Sequence, residues 1–294
     1  MIADDFMELS ADETEPPLPK HLVDRLTAAL KDKEGLGIDL YKTVARTPFK
    51  EPIENLRAMA GWLGLVDREQ FLKICLTTNF NNADHYIDNV ADTFGLPRVD
   101  DAVRTKFREL IREEKDGLLA YTDAEPNLSR LSKRYKLSLI TNSWPFPVSL
   151  FLVESKLGYL FAPPNGDVVM SSKVIFSKQD GPEIYRIAAV RLGVEPNRMC
   201  MIGDNPVLDV LSALKAGYSA ILMDRYRDYI DDNGDWKIDA LKTTQPSLVA
   251  EHPELFEMEL PVARNFRQID PALAIYDTGV SEVRLSDQLP DPNR

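Results

Sequence analysis

The stretch MIGDNPVLDVLSALKAG, residues 201–217, contributes most to the prediction of the fold. The apolar residues before Gly203 are typical of a short buried strand, and the residues after Pro206 are typical of a helix. One acid, Asp204, follows the strand, and a second, Asp209, lies in the helix. A structural turn would explain Gly203 and Asp204, but it would not need a second acid on the next helix. The stretch therefore predicts a strand, a tight turn and a helix that carry a pair of acids.

Strands and helices alternate through the second half of the chain. Four apolar runs are typical of buried strands: KLSLITN, GDVVMSS, RMCMIGDN and SAILMDR. The segments LSRLSKRY, GPEIYRIAAVRLGV and VLDVLSALKAG have helical spacing. This alternation predicts an α/β fold, a Rossmann-like parallel sheet flanked by helices. Ligands bind beyond the carboxyl ends of such strands, where Thr141, Asn142, Asp204 and Asn205 fall.

The remaining segments divide the chain. Residues 51–119 read as consecutive helices and predict an inserted helical cap. The predicted core then comprises residues 35–50 and 120–225. Residues 1–34 form a partly helical N-terminal extension and residues 226–294 a C-terminal extension with weak periodicity.

Composition excludes several classes of protein. The 294 residues are 44% hydrophobic and 28% charged, as in an ordinary soluble globular protein. The formal charge of -12 argues against a nucleic-acid binder, which needs basic surface. No apolar run has the length of a membrane span, and the acidic start lacks the features of a signal peptide. We therefore expect a cytoplasmic protein with a small-molecule substrate and no nucleic-acid or membrane partner.

Cysteine and histidine give no sign of a catalytic or metal site. Cys75 and Cys200 cannot form a disulfide framework, and no Cys/His spacing suggests zinc. The three histidines are far apart in sequence and none lies near a Ser or Cys motif, so a His-based triad is not expected.

Three motifs in the second half of the chain carry a family resemblance. Thr141 ends an apolar strand, Lys178 precedes a Pro-started helix, and Asp204 and Asp209 follow Gly203. Together they resemble the haloacid dehalogenase (HAD) superfamily of hydrolases. That family has a Thr or Ser at a strand end, then a Lys before a helix, then the pattern Gly-Asp-x-x-x-x-Asp. The resemblance covers about residues 36–225.

The first motif of that family departs from the usual pattern here. The family nucleophile is the first Asp of Asp-x-Asp-x-Thr, which this chain lacks. The stretch DLYKT, residues 39–43, keeps the first Asp and the Thr, with Tyr in place of the second Asp. Asp4 and Asp5 are alternatives, but they have almost no strand before them. The interval from Asp39 to Thr141 leaves room for an inserted cap, so we favour Asp39.

The resemblance implies a covalent mechanism and a Mg²⁺ cofactor. Asp39 would attack phosphorus, and water would then hydrolyse the acyl phosphate. Mg²⁺ would be held by Asp39, Asp204 and the backbone carbonyl of Tyr41. Asp209 would support the metal site or the neighbouring Lys178.

The resemblance also implies a phosphoryl-binding set. Thr141, Asn142 and Lys178 would bind the phosphoryl oxygens and stabilise charge in the transition state. Thr43, the last residue of the first motif, would contribute to substrate binding. Lys42 stands where the family usually has Gly.

Tyr41 leaves three hypotheses open. In phosphatases of the superfamily the second Asp protonates the leaving oxygen, and a Tyr with a pKa of about 10 is poorly matched to that task. A dehalogenase needs no such acid, because halide leaves as an anion. Asp204, however, keeps the metal-binding acid that metal-free dehalogenases tend to lack. We favour a Mg²⁺-dependent phosphatase over a weakly active or inactive interaction protein, and both over a metal-free 2-haloacid dehalogenase.

Substrate choice is expected to lie in the cap. Its aromatic side chains could line the site, although at helical spacing they are more often packing residues. These side chains are Trp62, Phe71, Phe80, His85 and Tyr86. Trp144, just after Thr141, could face the cleft or fix its loop.

Overall fold

The central element of the structure, a computed structural model, is a six-stranded parallel sheet in the order β5-β4-β1-β6-β7-β8. Strand β1 lies in the middle, with Ile38 paired to Leu139 of β4 and to Ile202 of β6. A separate antiparallel pair joins β2 to β3. The strands are β1 Gly35–Ile38, β2 Ala45–Arg46, β3 Leu119–Ala120, β4 Lys136–Thr141, β5 Gly166–Met170, β6 Met199–Gly203, β7 Ser219–Met223 and β8 Val262–Ala263. The structure describes residues 18–47, 52–77, 82–96 and 98–269, without the side chains of 52–55, 68 and 146.

Helices cover both faces of the sheet and bury its apolar side chains. One face packs a cluster that includes Leu26, Ile38 and Leu128, and the other packs a cluster that includes Ile140 and Tyr185. The helices of this part are α1 Lys20–Leu30, α6 Ala124–Leu131, α7 Pro145–Glu154, α8 Ser171–Val174, α9 Glu183–Leu192, α10 Ser212–Lys215, α11 Ile238–Thr244 and α12 Pro246–Glu251. The prediction of an α/β core with a parallel sheet is confirmed.

Four helices between β2 and β3 pack around their own apolar cluster. They are α2 Pro52–Trp62, α3 Arg68–Thr77, α4 Ala83–Thr93 and α5 Asp101–Gly117. Phe71, Tyr86 and Phe107 lie fully buried in this cluster. The β2–β3 pair lies where the chain leaves the sheet for these helices and where it returns. We call residues 52–117 the cap.

The sheet also uses residues from outside the predicted core. Val262 and Ala263 of the C-terminal extension form the edge strand β8 beside β7. Arg264, directly after this strand, is buried and pairs with Asp224 at 2.8 Å. The division at residue 225 remains a prediction, but the C-terminal extension is part of the sheet.

The helices described here give no sign of a transmembrane segment. Within the described residues, none combines the length and apolar character that crossing a membrane requires.

Candidate active site

Asp39 follows the central strand and lies at the carboxyl edge of the sheet. Its backbone N–H donates to the carbonyl of Ile202 at 2.9 Å, which ties it to β6. The side chain is buried. The alternative nucleophiles Asp4 and Asp5 lie outside the described residues, so the preference for Asp39 remains a prediction.

Lys178 joins two of the predicted acids. It begins a 3₁₀ turn, Lys178–Asp180, which is capped by Ser177. Its buried ammonium group donates to Asp39 and, at 2.5 Å, to Oδ1 of Asp209. Burial alone would lower the pKa of Lys178, but the charges of Asp209 and Asp39 outweigh burial and raise it. Lys178 is therefore held as a cation between two carboxylates.

The segment that carries Asp209 is wound as a π-helix, Pro206–Leu211, before it continues as α10. The side chain of Asn205 caps this turn by accepting from the N–H groups of Val207 and Leu208. The predicted helix is thus present, but it begins with a wider turn, a feature frequent at functional sites. The wider turn follows a strand end at Gly203, where a Cβ atom would lie 2.3 Å from Cγ of Asp209.

Three carboxyl groups converge at this edge. Oxygens of Asp39, Asp204 and Asp209 all lie within 4.8 Å of one another. Burial raises the pKa of Asp39 to about 7, a shift that Lys178 opposes and Asp209 increases. Burial, Asp39 and Asp209 also raise the pKa of Asp204 well above its usual value. Such a cluster needs more positive charge than Lys178 supplies, and carboxylate oxygens are the ligands that Mg²⁺ prefers.

The backbone carbonyl of Tyr41 is a further candidate ligand for Mg²⁺. Within the described part of the chain its carbonyl oxygen accepts no hydrogen bond. The donor set predicted for Mg²⁺, two or three carboxylates and one carbonyl, thus fits a divalent ion on chemical grounds.

Thr141 and Asn142 lie at the end of β4, beside Lys178. Oγ1 of Thr141 accepts from the N–H of Ser143 at 3.0 Å, so its own proton remains for another acceptor. Oδ1 of Asn142 accepts from the backbone N–H of Lys178 at 3.0 Å, and its amide donates to Gln179 at 2.7 Å. The Asn142 side chain therefore positions the segment that contains Lys178 and Gln179.

Thr43 is the predicted site residue that the structure does not bring to the cavity. It is fully buried, and its hydroxyl has no partner within the described residues. Its carbonyl accepts from Arg225 at 3.0 Å, which fixes the loop after Asp39. Lys42, next to it, has a left-handed φ of 53°. A Gly, usual at this position in the family, would adopt that conformation without strain.

Glu114 and Ser143 line the cavity but were not predicted from the sequence. Tyr41 donates its hydroxyl proton to Glu114 of α5, and its oxygen lies 2.7 Å from Oγ of Ser143. Ser143 also donates to Glu114 at 3.2 Å. Burial raises the pKa of Glu114 to about 7, although the hydrogen bond from Ser143 lowers it. The sequence does indicate that Glu114 is buried, because it lies on the same face of α5 as Phe107 and Ile111.

A cavity of about 230 Å³ opens above these groups, between the sheet edge and the cap. Among the described residues, the cap side chains that line it are aliphatic, apart from Glu114: Leu56, Leu76 and Leu110. Trp144 also lines it, and its ring packs 5.4 Å from that of Tyr86. Of the cap aromatics considered from the sequence, Phe71 and Tyr86 pack in the cap interior, Trp62 packs on Phe107, and His85 is exposed. Phe80 lies outside the described residues.

Comparison with known proteins gives one family match. A family model described as HAD-hydrolase-like matches residues 180–236, the part that contains Asp204 and Asp209. The chain is 26% identical over 208 residues to (S)-2-haloacid dehalogenase 4A of Burkholderia cepacia. That alignment covers 69% of this chain and 85% of the dehalogenase.

Two further matches are a phosphatase and a solved structure. Phosphoserine phosphatase of Thermus thermophilus is 36% identical over 121 residues, which cover 41% of this chain and 47% of the phosphatase. The chain thus spans less than half of that relative. The crystal structure of 2-haloacid dehalogenase from Pseudomonas syringae pv. Tomato is 18% identical, with a TM-score of 0.50. It covers 83% of this chain and 99% of that protein, a likeness of fold.

Proposed function

We propose that this chain, which belongs to the haloacid dehalogenase-like hydrolase superfamily, is a Mg²⁺-dependent phosphatase of small phosphate esters. The observation that carries the proposal is the meeting of three carboxyl groups with one buried lysine at the edge of the sheet. An arrangement of this kind binds a divalent cation and a phosphoryl group side by side.

Asp39 is the nucleophile in this proposal. One oxygen of its carboxylate attacks phosphorus, the bond from phosphorus to the ester oxygen breaks, and the leaving alcohol takes up a proton. Water then attacks the acyl phosphate, which releases inorganic phosphate and restores the Asp39 carboxylate. The buried position of Asp39 beside Lys178 holds the attacking group in one orientation.

The phosphoryl oxygens would be bound by Thr141 and Lys178. The free hydroxyl proton of Thr141 is available for donation, and Lys178 supplies a fixed positive charge. Asn142 positions Lys178 by accepting a hydrogen bond from its backbone N–H. Thr43 positions the loop after Asp39, because its carbonyl accepts a hydrogen bond from Arg225. In this proposal Asn142 and Thr43 are positioning residues.

Mg²⁺ would be held by Asp39, Asp204 and the carbonyl of Tyr41, with Asp209 in support. When bound, it neutralises charge on the transferring phosphoryl group. Two relatives named as phosphatases, for phosphoserine and for glyceraldehyde 3-phosphate, match less than half of their own length. They support the reaction type and leave the substrate to experiment.

A second candidate is a 2-haloacid dehalogenase, which Tyr41 and the relative in Burkholderia cepacia favour. One assay separates the two. Phosphate release is measured on a panel of phosphate esters with Mg²⁺ and with EDTA, and chloride release from 2-chloropropionate with EDTA. Phosphate release that EDTA abolishes supports the phosphatase. Chloride release in EDTA without phosphate release supports the dehalogenase, and neither product supports an inactive interaction protein.

A further inference from the structure

Glu114 is an acid that the proposed reaction does not use, although it lines the active-site cavity. Only 8% of the residue is exposed. Its Oε1 atom receives the hydrogen bonds from Tyr41 and Ser143. Within the described residues, its Oε2 atom has no hydrogen-bond partner. Because Glu114 lines the cavity, this oxygen is suited to accept a hydrogen bond from a ligand there.

The charges around the cavity are mostly negative. Of the residues that the structure describes, four acids line it: Asp39, Glu114, Asp204 and Asp209. Among the described lining residues two are basic, Lys42 and Lys178. Lys178 is engaged by two carboxylates, those of Asp39 and Asp209. Among these residues the acids therefore outnumber the cations, and Lys178 is already paired with two of the acids.

The other described cap residues that line the cavity are apolar. Leu56, Leu76 and Leu110 surround the approach to Glu114, and Trp144 closes the core side. A cavity of about 230 Å³ accommodates a small organic group. Its cap side therefore offers one polar acceptor in an apolar setting, an arrangement that fixes orientation and selects among ligands.

We infer that Glu114 selects the leaving alcohol of the substrate. Its Oε2 atom accepts a hydrogen bond from an ammonium or hydroxyl group on that alcohol, and the acidic cavity disfavours an alcohol that carries a carboxylate. The inference rests on the proposed function, since it concerns the ester that the site takes. It also separates the two candidates, because a 2-haloacid has a carboxylate next to the reacting carbon.

Binding of three small esters tests this selection without requiring turnover. The esters are O-phosphoethanolamine, propyl phosphate and phosphoglycolate, which carry an ammonium, an apolar group and a carboxylate. Calorimetry with Mg²⁺ at pH 8 uses the Asp39→Asn protein, in which the covalent step is blocked. We expect O-phosphoethanolamine to bind at least about tenfold more tightly than propyl phosphate, and phosphoglycolate most weakly, since hydrogen bonds to charged groups are the stronger kind.

The matched variants are Glu114→Gln and Glu113→Gln, each added to Asp39→Asn. Glu113 is the exposed neighbour on the same helix. Glu114→Gln should bring the affinities for the ammonium and carboxylate esters to within about threefold of each other, and Glu113→Gln should leave their ratio unchanged. The comparison of ratios cancels any general loss caused by a shift of Tyr41.

Equal affinities for the three esters, or a ratio that Glu114→Gln does not change, overturn the inference. So does the absence of binding by all three. Turnover by the wild-type protein is measured in parallel. If no ester is hydrolysed while the affinity ratio and its dependence on Glu114 are observed, the proposed function fails and the assignment of Glu114 stands.

Discussion

Gly203 lies directly against the carboxyl group of Asp209, so that a Cβ atom at Gly203 would come within 2.3 Å of Cγ and 2.4 Å of Oδ2. The end of the β6 strand and the π-helical turn after it can approach only because this side chain is missing. The same carboxyl group receives Lys178 through Oδ1 and the backbone N–H of Asn205 through Oδ2. The position of Asp209, and through it that of Lys178, therefore depends on Gly203.

Gly203→Ala is expected to reduce kcat/KM on a phosphate ester by about a hundredfold or more. The added methyl group must displace Asp209, and a misplacement of about 1 Å costs rate on this order. The control is Gly61→Ala in α2, where a Cβ atom meets nothing within 4 Å. Steady-state kinetics on both variants decide the point. Similar rates for Gly203→Ala and wild type would show that Asp209 does not need this position.

Lys42→Gly is expected to unfold at higher denaturant concentration than Lys42→Ala. Both changes remove the lysine charge, but only Gly adopts the φ of 53° at this position without strain. The difference in free energy of unfolding should be about 1 kcal/mol in favour of Gly. Urea unfolding of the two variants provides the measurement. Equal stability, or a more stable Ala variant, would contradict the left-handed backbone at Lys42.

Lys178→Ala is expected to lower kcat/KM by about a thousandfold, as the loss of a transition-state donor does. The variant also leaves Asp39 and Asp209 without their shared cation. Lys173→Ala is the control, since Lys173 is an exposed lysine of α8, a few residues earlier in the chain. Full activity of Lys178→Ala would rule out the site as described.

Glu114 should make the stability of the protein depend on pH. Its pKa rises on folding from 4.5 to about 7, so the folded state binds the extra proton between these values. Stability from this group is therefore present at low pH and is lost as the pH rises through 7. We expect the difference in free energy of unfolding between wild type and Glu114→Gln to fall by about 2–3 kcal/mol from pH 5 to pH 8. Urea unfolding in EDTA measures it, and a difference independent of pH would refute the shift.

Much of the site follows from the order of strands in the sequence. Thr141 ends a strand of the sheet, Asp39 and Asp204 each follow one, and the carboxyl ends of parallel strands meet at one edge. The interaction of Lys178 with Asp39 and Asp209 agrees with its predicted place beside them. These residues could be chosen as candidates because the strands that position them have a clear apolar pattern.

The contribution of the cap to the site could not be predicted from the sequence in the same way. Glu114 reaches Tyr41 because α5 packs against α7, the helix after Ser143, and no periodicity in a helix reveals where its end will dock. The edge strand Val262–Ala263 has two residues, too few for a recognisable alternation. The π-helical start at Pro206 depends on side-chain capping by Asn205, which a helical pattern does not report.

The most direct test of the proposed mechanism is phosphate release from an ester panel in Mg²⁺ by wild type, Asp39→Asn and Asp5→Asn. Asp39→Asn removes the attacking oxygen while keeping the volume of the side chain, so we expect phosphate release to fall to background. Asp5→Asn should match wild type in both rate and EDTA sensitivity. Loss of activity in Asp5→Asn with normal activity in Asp39→Asn would contradict the assignment of the nucleophile.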